Sequence, residues 1–265
     1  MFMKVEQLLI SYFESLGIDV HTGTKARGHQ GFYLDKRIDI SKNIKPERVA
    51  PTLIHEFAHY IHSKVEPEML RTGGSLYKLF GADDEELRSE LIKVTNFVDE
   101  NSHLKKLYEH KKLLNEKIKY YGSIIKSYYP KFQRSKRFRE FERYIKSSDA
   151  KYLLKYDRIK LVKGFIVKSA KLYTIDNIEK DFPDMPPAFA AYIRLKSYQK
   201  RQANNSKRIN KYKKYYEKPT ELFARFVESL YLDKNQTVKI APRATKIFYR
   251  LLEGGYYYEL KNIIY

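Results

Sequence analysis

The chain has 265 residues, a net charge of +20 and no cysteine. The absence of cysteine excludes disulfide bonds, thiolate metal ligands and a thiol nucleophile. No apolar run is long enough to span a bilayer and the first residues lack the pattern of a secretory signal, so the sequence predicts a cytoplasmic protein of one large or two modest domains.

The first fifty residues predict one helix and a small sheet. Apolar side chains recur with helical spacing from Lys4 to Gly17, and the glycine ends the helix. The segments 18–22 and 32–40 lie on either side of a glycine-bearing loop and have the apolar pattern of strands. The regular helix that follows is expected to begin at about Pro51, which lacks a backbone N–H.

That helix carries the sequence His55-Glu56-Phe57-Ala58-His59. Residues four apart lie on one face of a helix, so His55 and His59 can offer ring nitrogens to a single ion. Glu56 lies beside them, near enough to meet a water molecule held by that ion. The other positions are apolar, and a dry surrounding strengthens the field of an ion on its bound water. The pattern predicts a metal site; the alternative is two core histidines and a chance glutamate.

The residues after this helix form a predicted loop and a long helical stretch, and the helical stretch contains two further candidates for a metal ligand. Gly73-Gly74 predicts a loop that could form part of a cleft. A long helical stretch follows as far as Tyr129, with a slip in the apolar phase near Asn101. Within that stretch, Glu86 and Glu90 are alternative third ligands for the metal.

The positive charge is concentrated in the middle of the chain. Residues 103–218 contain 32 Lys and Arg against 11 Asp and Glu, whereas the rest of the chain is almost balanced. This contrast predicts a basic, Tyr- and Lys-rich helical insertion over 103–218, between two halves of a core formed by residues 1–102 and 219–265. Within the insertion, residues 199–206 are expected to be a polar connector.

Two interpretations of the basic insertion remain open. Basic side chains interleaved with aromatic ones could bind nucleic acid or another acidic partner. A solvated basic face on amphipathic helices explains the same composition, and the segment contains no known nucleic-acid motif.

A second helix with functional side chains is predicted from Pro219, because proline suits the first helical position. Glu221, Ala224 and Glu228 share one face, where the small alanine allows a partner helix to approach closely. Glu221 could complete a His/His/Glu set for zinc and leave one position for water. Glu228 could then accept a hydrogen bond from the far nitrogen of a ligating histidine. Alternatively, Glu221 is an acid favoured at a helix start by the helix dipole.

The C-terminal residues predict a strand followed by helices. Residues 237–240 have the composition of a strand. A helix is expected after Pro242 and ends at Gly254-Gly255, and a last short helix could close the core.

Two of these segments resemble a known family. TLIHEFAHYIH, residues 52–62, is similar to the active-site helix of zincin metallopeptidases. KPTELFARFVESLY, residues 218–231, resembles the helix that provides the glutamate ligand in gluzincins of the Mlc titration factor and anthrax lethal factor kind, and in zincin domains of phage and plasmid polyvalent proteins. The resemblance covers well under half of the chain, and the separation of 162 positions from His59 to Glu221 is larger than these families usually have.

The resemblance implies an α+β fold with a mostly helical zincin-like core and a small sheet, to which the charge distribution adds the long basic helical insertion. It implies a zinc-dependent metallopeptidase in which His55, His59 and Glu221 hold one Zn²⁺ ion and Glu56 is the general base. The strand before the metal helix would pair with an extended protein or peptide substrate. An ordinary sheet strand without a ligand is the alternative.

The expected chemistry also needs a group that stabilises the oxyanion, and related gluzincins often use a tyrosine or histidine for this. Tyr215 and Tyr216 directly precede the second motif and are the candidates; ordinary packing is the alternative for each. His62 shares a helix face with His55 and His59, but a third ligand one turn further along the helix is poorly placed to bind the same ion. We expect it to have a supporting role in the site or none.

Two other classes of function are compatible with these residues. One is a nucleic-acid-binding or mobile-element protein that keeps a zincin fold without proteolysis. The other is a toxin or effector that cleaves a partner's protein. No membrane partner is expected.

Overall fold

The structure is a computed structural model that describes residues 4–98, 103–163 and 169–264. Within these ranges the chain is mostly helical with a small amount of sheet, an α+β composition. The described residues divide into two compact units, a core unit within 1–101 and 212–265 and a basic unit within 102–211. Residues 212–218 therefore belong to the core unit, whereas the sequence assigned them to the insertion.

The helices and strands of the core unit surround one apolar core. The elements before the basic unit are α1 (Val5–Ser15), β1 (Asp19–Thr24), β2 (Gly31–Leu34), β3 (Arg37–Ser41), α2 (Pro46–Val65), α3 (Met69–Thr72), α4 (Leu76–Phe80) and α5 (Glu85–Val98). The basic unit contains α6 (His103–Tyr128), α7 (Lys136–Ser147), β4 (Arg158–Lys163), β5 (Ser169–Thr174), α8 (Ile178–Asp181) and most of α9 (Pro187–Tyr216). The chain then completes the core unit with α10 (Pro219–Leu232), α11 (Lys234–Ile240), α12 (Pro242–Glu253) and α13 (Lys261–Ile264).

The three strands of the core unit form one sheet in the order β1-β3-β2. β1 is parallel to β3, and β2 is antiparallel to β3. The sequence predicted one strand over 32–40, and this is wrong because Asp35 and Lys36 form a tight turn with φ of 48° and 61°. Two consecutive residues with positive φ are typical of a two-residue hairpin. The turn places β2 at an edge of the sheet.

The helix α2 begins at Pro46, five residues earlier than the sequence predicted. Pro46 occupies the first helical turn, where the missing N–H has no intrahelical partner in any case. Pro51 lies within the helix and removes only one hydrogen bond near its start. On one side α2 packs against α1, where the rings of Phe13 and Phe57 stack with centroids 4.2 Å apart.

The helix α10 begins at Pro219 as predicted and packs against α2 and α5. Ala224 is completely buried, and its small side chain permits the close approach of α10 to a neighbouring helix. The predicted strand over 237–240 is wrong, because these residues belong to α11. Asp233 caps that helix by accepting a hydrogen bond from the backbone N–H of Gln236 at 2.9 Å.

The basic unit has a separate, aromatic core built around Phe132, Phe141, Phe189 and Tyr192. The sequence predicted a helical insertion, but the unit also contains the strands β4 and β5, which pair as an antiparallel hairpin. The predicted connector over 199–206 is also wrong, because it lies inside the continuous helix α9.

The polar residues of α9 make tertiary contacts, which explains why they do not interrupt the helix. Ser197 donates a hydrogen bond to Asp157 at 2.5 Å, and the Asn205 amide donates to the backbone carbonyl of Leu107 at 2.8 Å. The predicted phase slip near Asn101 lies outside the described residues. None of the described helices combines the length and the apolar character that crossing a membrane requires.

Candidate metal centre

Three side chains from two helices meet in the interior of the core unit. His55 and His59 lie on α2, and Glu221 lies in the first turn of α10. One ligand atom from each residue lies within 4.8 Å of the others. The Nε2 atoms of His55 and His59 are 3.6 Å and 3.5 Å from the two carboxylate oxygens of Glu221. This largely buried His-His-Glu group could hold a metal ion.

The chemistry of the three side chains fits a divalent cation. Two imidazole nitrogens and one carboxylate oxygen form a donor set that transition-metal ions and zinc accept. Glu221 Oε2 is buried and has no hydrogen-bond partner among the described residues. A buried polar oxygen without a partner costs folding free energy, and a bound cation would remove that cost.

A second carboxylate orients one of the imidazoles. Glu228 Oε2 lies 3.1 Å from His55 Nδ1. Arg48 donates to Glu228 Oε1 at 2.6 Å, and Arg225 donates to Oε2 at 3.2 Å. In the neutral imidazole that metal binding requires, Nδ1 donates its proton to Glu228 and the lone pair of Nε2 is directed toward Glu221 and the site. The sequence predicted the contact of Glu228 with a histidine but not the two arginines.

The ionisation of these groups follows from their mutual contacts. Burial lowers the pKa of His55, but the carboxylates of Glu221 and Glu228 outweigh it and raise this pKa to about 9. Burial raises the pKa of Glu221, yet His55 and His59 hold it well below its usual value. Burial likewise raises the pKa of Glu228, and Arg225, His55 and Arg48 lower it overall. Both carboxylates are therefore negatively charged at neutral pH, as a cation site requires.

Glu56 lies at the same site but outside the ligand group. It is buried, and the loss of hydration raises its pKa above the usual value. It lines a cavity of about 230 Å³ together with all three candidate ligands. The other residues of the cavity are His29, Gly31, Phe32, Tyr33, Met69, Leu70, Gly73, Tyr215, Lys218 and Thr220.

The edge strand β2 packs directly against Glu56. A Cβ atom at Gly31 would lie 2.6 Å from Glu56 Oε1 and 2.6 Å from the methyl carbon of Thr52. Only glycine permits this approach without displacement of its neighbours. No local pattern in the sequence indicates this contact, because it depends on how the hairpin lies on α2.

The structure separates the two candidate tyrosines. Tyr215 lines the cavity with part of its side chain exposed, and desolvation together with the nearby carboxylate of Glu221 raises its pKa. Its hydroxyl therefore stays protonated and able to donate a hydrogen bond. Tyr216 is not among the residues that line the cavity; its ring packs against Tyr212 and Tyr215, and the guanidinium of Arg225 lies 5.7 Å from its centroid. Packing accounts for Tyr216.

The alternative third ligands have structural roles elsewhere. The two carboxylate oxygens of Glu90 accept hydrogen bonds from the backbone N–H groups of Arg243 and Ala244, at the start of α12. Glu86 forms an ion pair with Arg243 at 2.8 Å. Neither glutamate belongs to the His-His-Glu group.

His62 is not part of the ligand group either, and it supports the cavity wall. Its Nε2 atom lies 3.3 Å from Glu66 Oε2, which also accepts a hydrogen bond from the backbone N–H of Ser75 at 2.9 Å. A Cβ atom at Gly74 would lie 2.3 Å from the His62 ring, so the loop rests directly on it. The spacing of four residues between His62 and Glu66 was a signal for their pairing in the sequence.

A scan against protein-family models, a search of curated proteins and a search of solved structures each found no match. The functional conclusion therefore depends on the geometry of the core unit. That geometry comprises a buried donor set, an adjacent carboxylate and an open cavity that both of them line.

Proposed function

We propose that the protein is a zinc-dependent metallopeptidase with one Zn²⁺ ion held by His55, His59 and Glu221. The observation that carries the proposal is the meeting of these three side chains with Glu56 in one cavity of the core unit. Three protein ligands leave one coordination position for water or substrate, which is the arrangement of a catalytic rather than a structural zinc site.

The ion, when bound, supplies a Lewis acid that polarises the scissile carbonyl and lowers the pKa of a water molecule to about 7. Glu56 is the group that moves the proton. Its carboxylate accepts a proton from the attacking water and delivers it to the nitrogen of the leaving amine. The raised pKa of Glu56 suits both steps, because a base whose pKa is nearer to neutrality also returns the proton readily.

Other residues of the cavity position the peptide substrate. The protonated hydroxyl of Tyr215 donates a hydrogen bond to the oxygen that becomes negative during attack. Strand β2 lines the cavity and is an edge strand, so an extended peptide can add to it through backbone hydrogen bonds. Gly31 permits that strand to lie directly over Glu56.

The test of this function is the substitution Glu56→Gln, which keeps the shape of the side chain but removes its basicity. We expect hydrolysis of a casein or quenched-peptide substrate to fall about 10²- to 10⁴-fold, the usual contribution of a general base. Metal content measured by mass spectrometry should stay the same, because Glu56 is not a ligand. The matched control is Glu47→Gln, an exposed acid in the first turn of the same helix, which should retain full activity.

Removal and return of the metal provide a second test. A chelator should abolish hydrolysis by the wild-type chain, and stoichiometric Zn²⁺ should restore it. A zinc-loaded wild-type protein that cleaves none of a diverse peptide library would contradict the proposal, as would a Glu56→Gln variant with full activity.

A further inference from the structure

One cavity is formed by residues of the basic unit alone and has no part in the proposed peptidase chemistry. Its volume is about 490 Å³, within the range of about 300–1,000 Å³ that is typical of small-molecule sites. It lies among the end of α6, the turn that follows and the beginning of α9. Its lining combines aromatic rings with the polar or charged side chains of Lys126, Lys131, Gln133 and Arg134.

Aromatic rings form much of the cavity wall. Phe132 and Tyr192 are buried, with ring centroids 5.2 Å apart. Tyr129 is half-buried and stacks on Phe132, with centroids 5.7 Å apart and an angle of 26° between the rings. Phe132 and Tyr192 have little exposed surface, so the half-buried ring of Tyr129, with the Arg137 guanidinium 5.7 Å from its centroid, is the part of this aromatic wall that a planar nucleobase can reach.

The rim of the cavity is positively charged. Lys126, Lys131 and Arg134 are exposed, and none of them forms an ion pair with any residue that the structure describes. Lys126 lies in the last turn of α6, where the helix dipole favours a cation. Lys131 and Arg134 come after the helix, so the dipole does not account for them. Unpaired ammonium and guanidinium groups beside an aromatic wall complement a phosphate attached to a planar base.

We propose that this cavity binds one nucleotide of a single-stranded nucleic acid, with the base against the aromatic wall and the phosphate at Lys131 and Arg134. The exposed side chains of Lys136 and Arg139 continue the positive charge along the next helix, where Arg137 is paired with Glu140. That continuation suits the phosphates of neighbouring nucleotides and favours a strand over a free mononucleotide. The amide of Gln133, also on the lining, can donate to and accept from the edge of the base.

Gly122 provides a substitution that blocks the cavity without disturbing the fold. It lies within α6 and lines the cavity, and a Cβ atom added there would meet no atom within 4 Å. The side chain in Gly122→Phe therefore enters open space. Phenylalanine also favours a helix more than glycine does, so the thermal stability of the variant should not fall.

The experiment measures fluorescence anisotropy of labelled oligo-dT and oligo-dA of about twelve nucleotides, a length within the usual footprint of single-strand-binding domains. The full chain is used at several salt concentrations. Gly122→Phe should weaken binding at least about tenfold, the loss of one stacked base, with an unchanged melting temperature. Lys131→Ala combined with Arg134→Ala should reduce the slope of log affinity against log salt concentration by about 1.4, or 0.7 for each phosphate contact.

The matched control is Lys112→Ala combined with Lys117→Ala, which removes two exposed cations from the same helix about 8–15 Å from Gly122 along the axis. This control should retain most of the affinity. Equal weakening by the control and cavity pairs would assign binding to overall charge and overturn the proposal, as would wild-type affinity in a folded Gly122→Phe variant.

Adenosine monophosphate is added as a competitor to distinguish a strand from a free nucleotide. It should compete only weakly, whereas competition as strong as that of an unlabelled oligonucleotide would overturn the assignment to a strand. Glu56→Gln should bind the oligonucleotides as the wild type does, because Glu56 belongs to the core unit. Peptide hydrolysis therefore tests the proposed peptidase function, and oligonucleotide binding tests this cavity, so that either proposal can fail without the other.

Discussion

The core unit and the basic unit use charged residues in opposite ways. In the core unit, the carboxylates of Glu56, Glu221 and Glu228 are buried, and two of them lie against histidines and arginines. In the basic unit, the centre is aromatic and the cations lie mostly on the surface. The core unit therefore buries charged groups, whereas the basic unit leaves most of its cations in contact with water.

The buried carboxylates of the core unit have an energetic cost that the exposed cations of the basic unit do not have. Burial of a charged group costs free energy that its partners repay only in part, and a buried ion pair is often no more stabilising than well-packed apolar residues. A group of two histidines and three carboxylates is therefore a poor way to stabilise a core. Its presence among apolar helices supports the proposed metal site.

The largest expected effect tests whether the buried polar group is a metal site. Glu221→Ala should eliminate stoichiometric metal binding, measured by mass spectrometry of the purified protein, because it leaves only two protein ligands. The control is Glu90→Ala, which should keep the metal and lower the free energy of unfolding by about 1 kcal/mol, since Glu90 caps α12. Loss of metal in the Glu90 variant alone would mean that Glu90 on α5, and not Glu221, is the third ligand.

The second prediction concerns the apolar centre of the basic unit. Phe132→Ala should lower the free energy of unfolding by about 3–5 kcal/mol, because it leaves a cavity among five contacting rings. Denaturant unfolding measures the change, and the metal content of the folded protein should stay the same. Tyr128→Ala, at an exposed ring of α6, should change stability by no more than about 0.5 kcal/mol. A Phe132 variant as stable as the Tyr128 variant would contradict the aromatic core.

The third prediction tests the contact between β2 and Glu56. Gly31→Ala should reduce peptide hydrolysis about 100-fold, because the added methyl group displaces Glu56 or the strand by a large fraction of an ångström or more. Gly23→Ala is the comparison, since a Cβ atom there would meet no neighbour, although its positive φ adds backbone strain. Equal activity in the two variants would show that the close contact has no role in catalysis.

The smallest effect is expected at the residue that orients His55. Glu228→Gln should weaken metal binding about 10- to 100-fold, the usual cost of altering the carboxylate that orients a ligating histidine. Competition with a chromophoric chelator measures the affinity. Activity at saturating metal should decrease much less than the affinity does. A variant with wild-type affinity would mean that the negative charge of Glu228 has no role in metal binding.

The local pattern of the chain was sufficient to predict the two helices that carry the site. The spacing of His55 and His59 depends only on the period of an α-helix, and Pro219 marks the start of α10 through its missing N–H. The hairpin turn at Asp35 and Lys36 was missed because neither residue is a glycine and the flanking residues alternate as one strand. The strand predicted over 237–240 failed because the cap from Asp233 outweighs the β-branched composition.

The sequence by itself determined which side chains share a helix face, because the α-helical repeat is a local property of the backbone. It also determined that the excess positive charge lies in one continuous segment, because charge is read directly from composition. Only the tertiary structure decided that Glu221 rather than Glu90 meets the histidines, that Gly31 lies against Glu56, and that Arg48 joins Glu228. These contacts join residues far apart in the chain, and they depend on the packing of whole helices and strands, which no local pattern encodes.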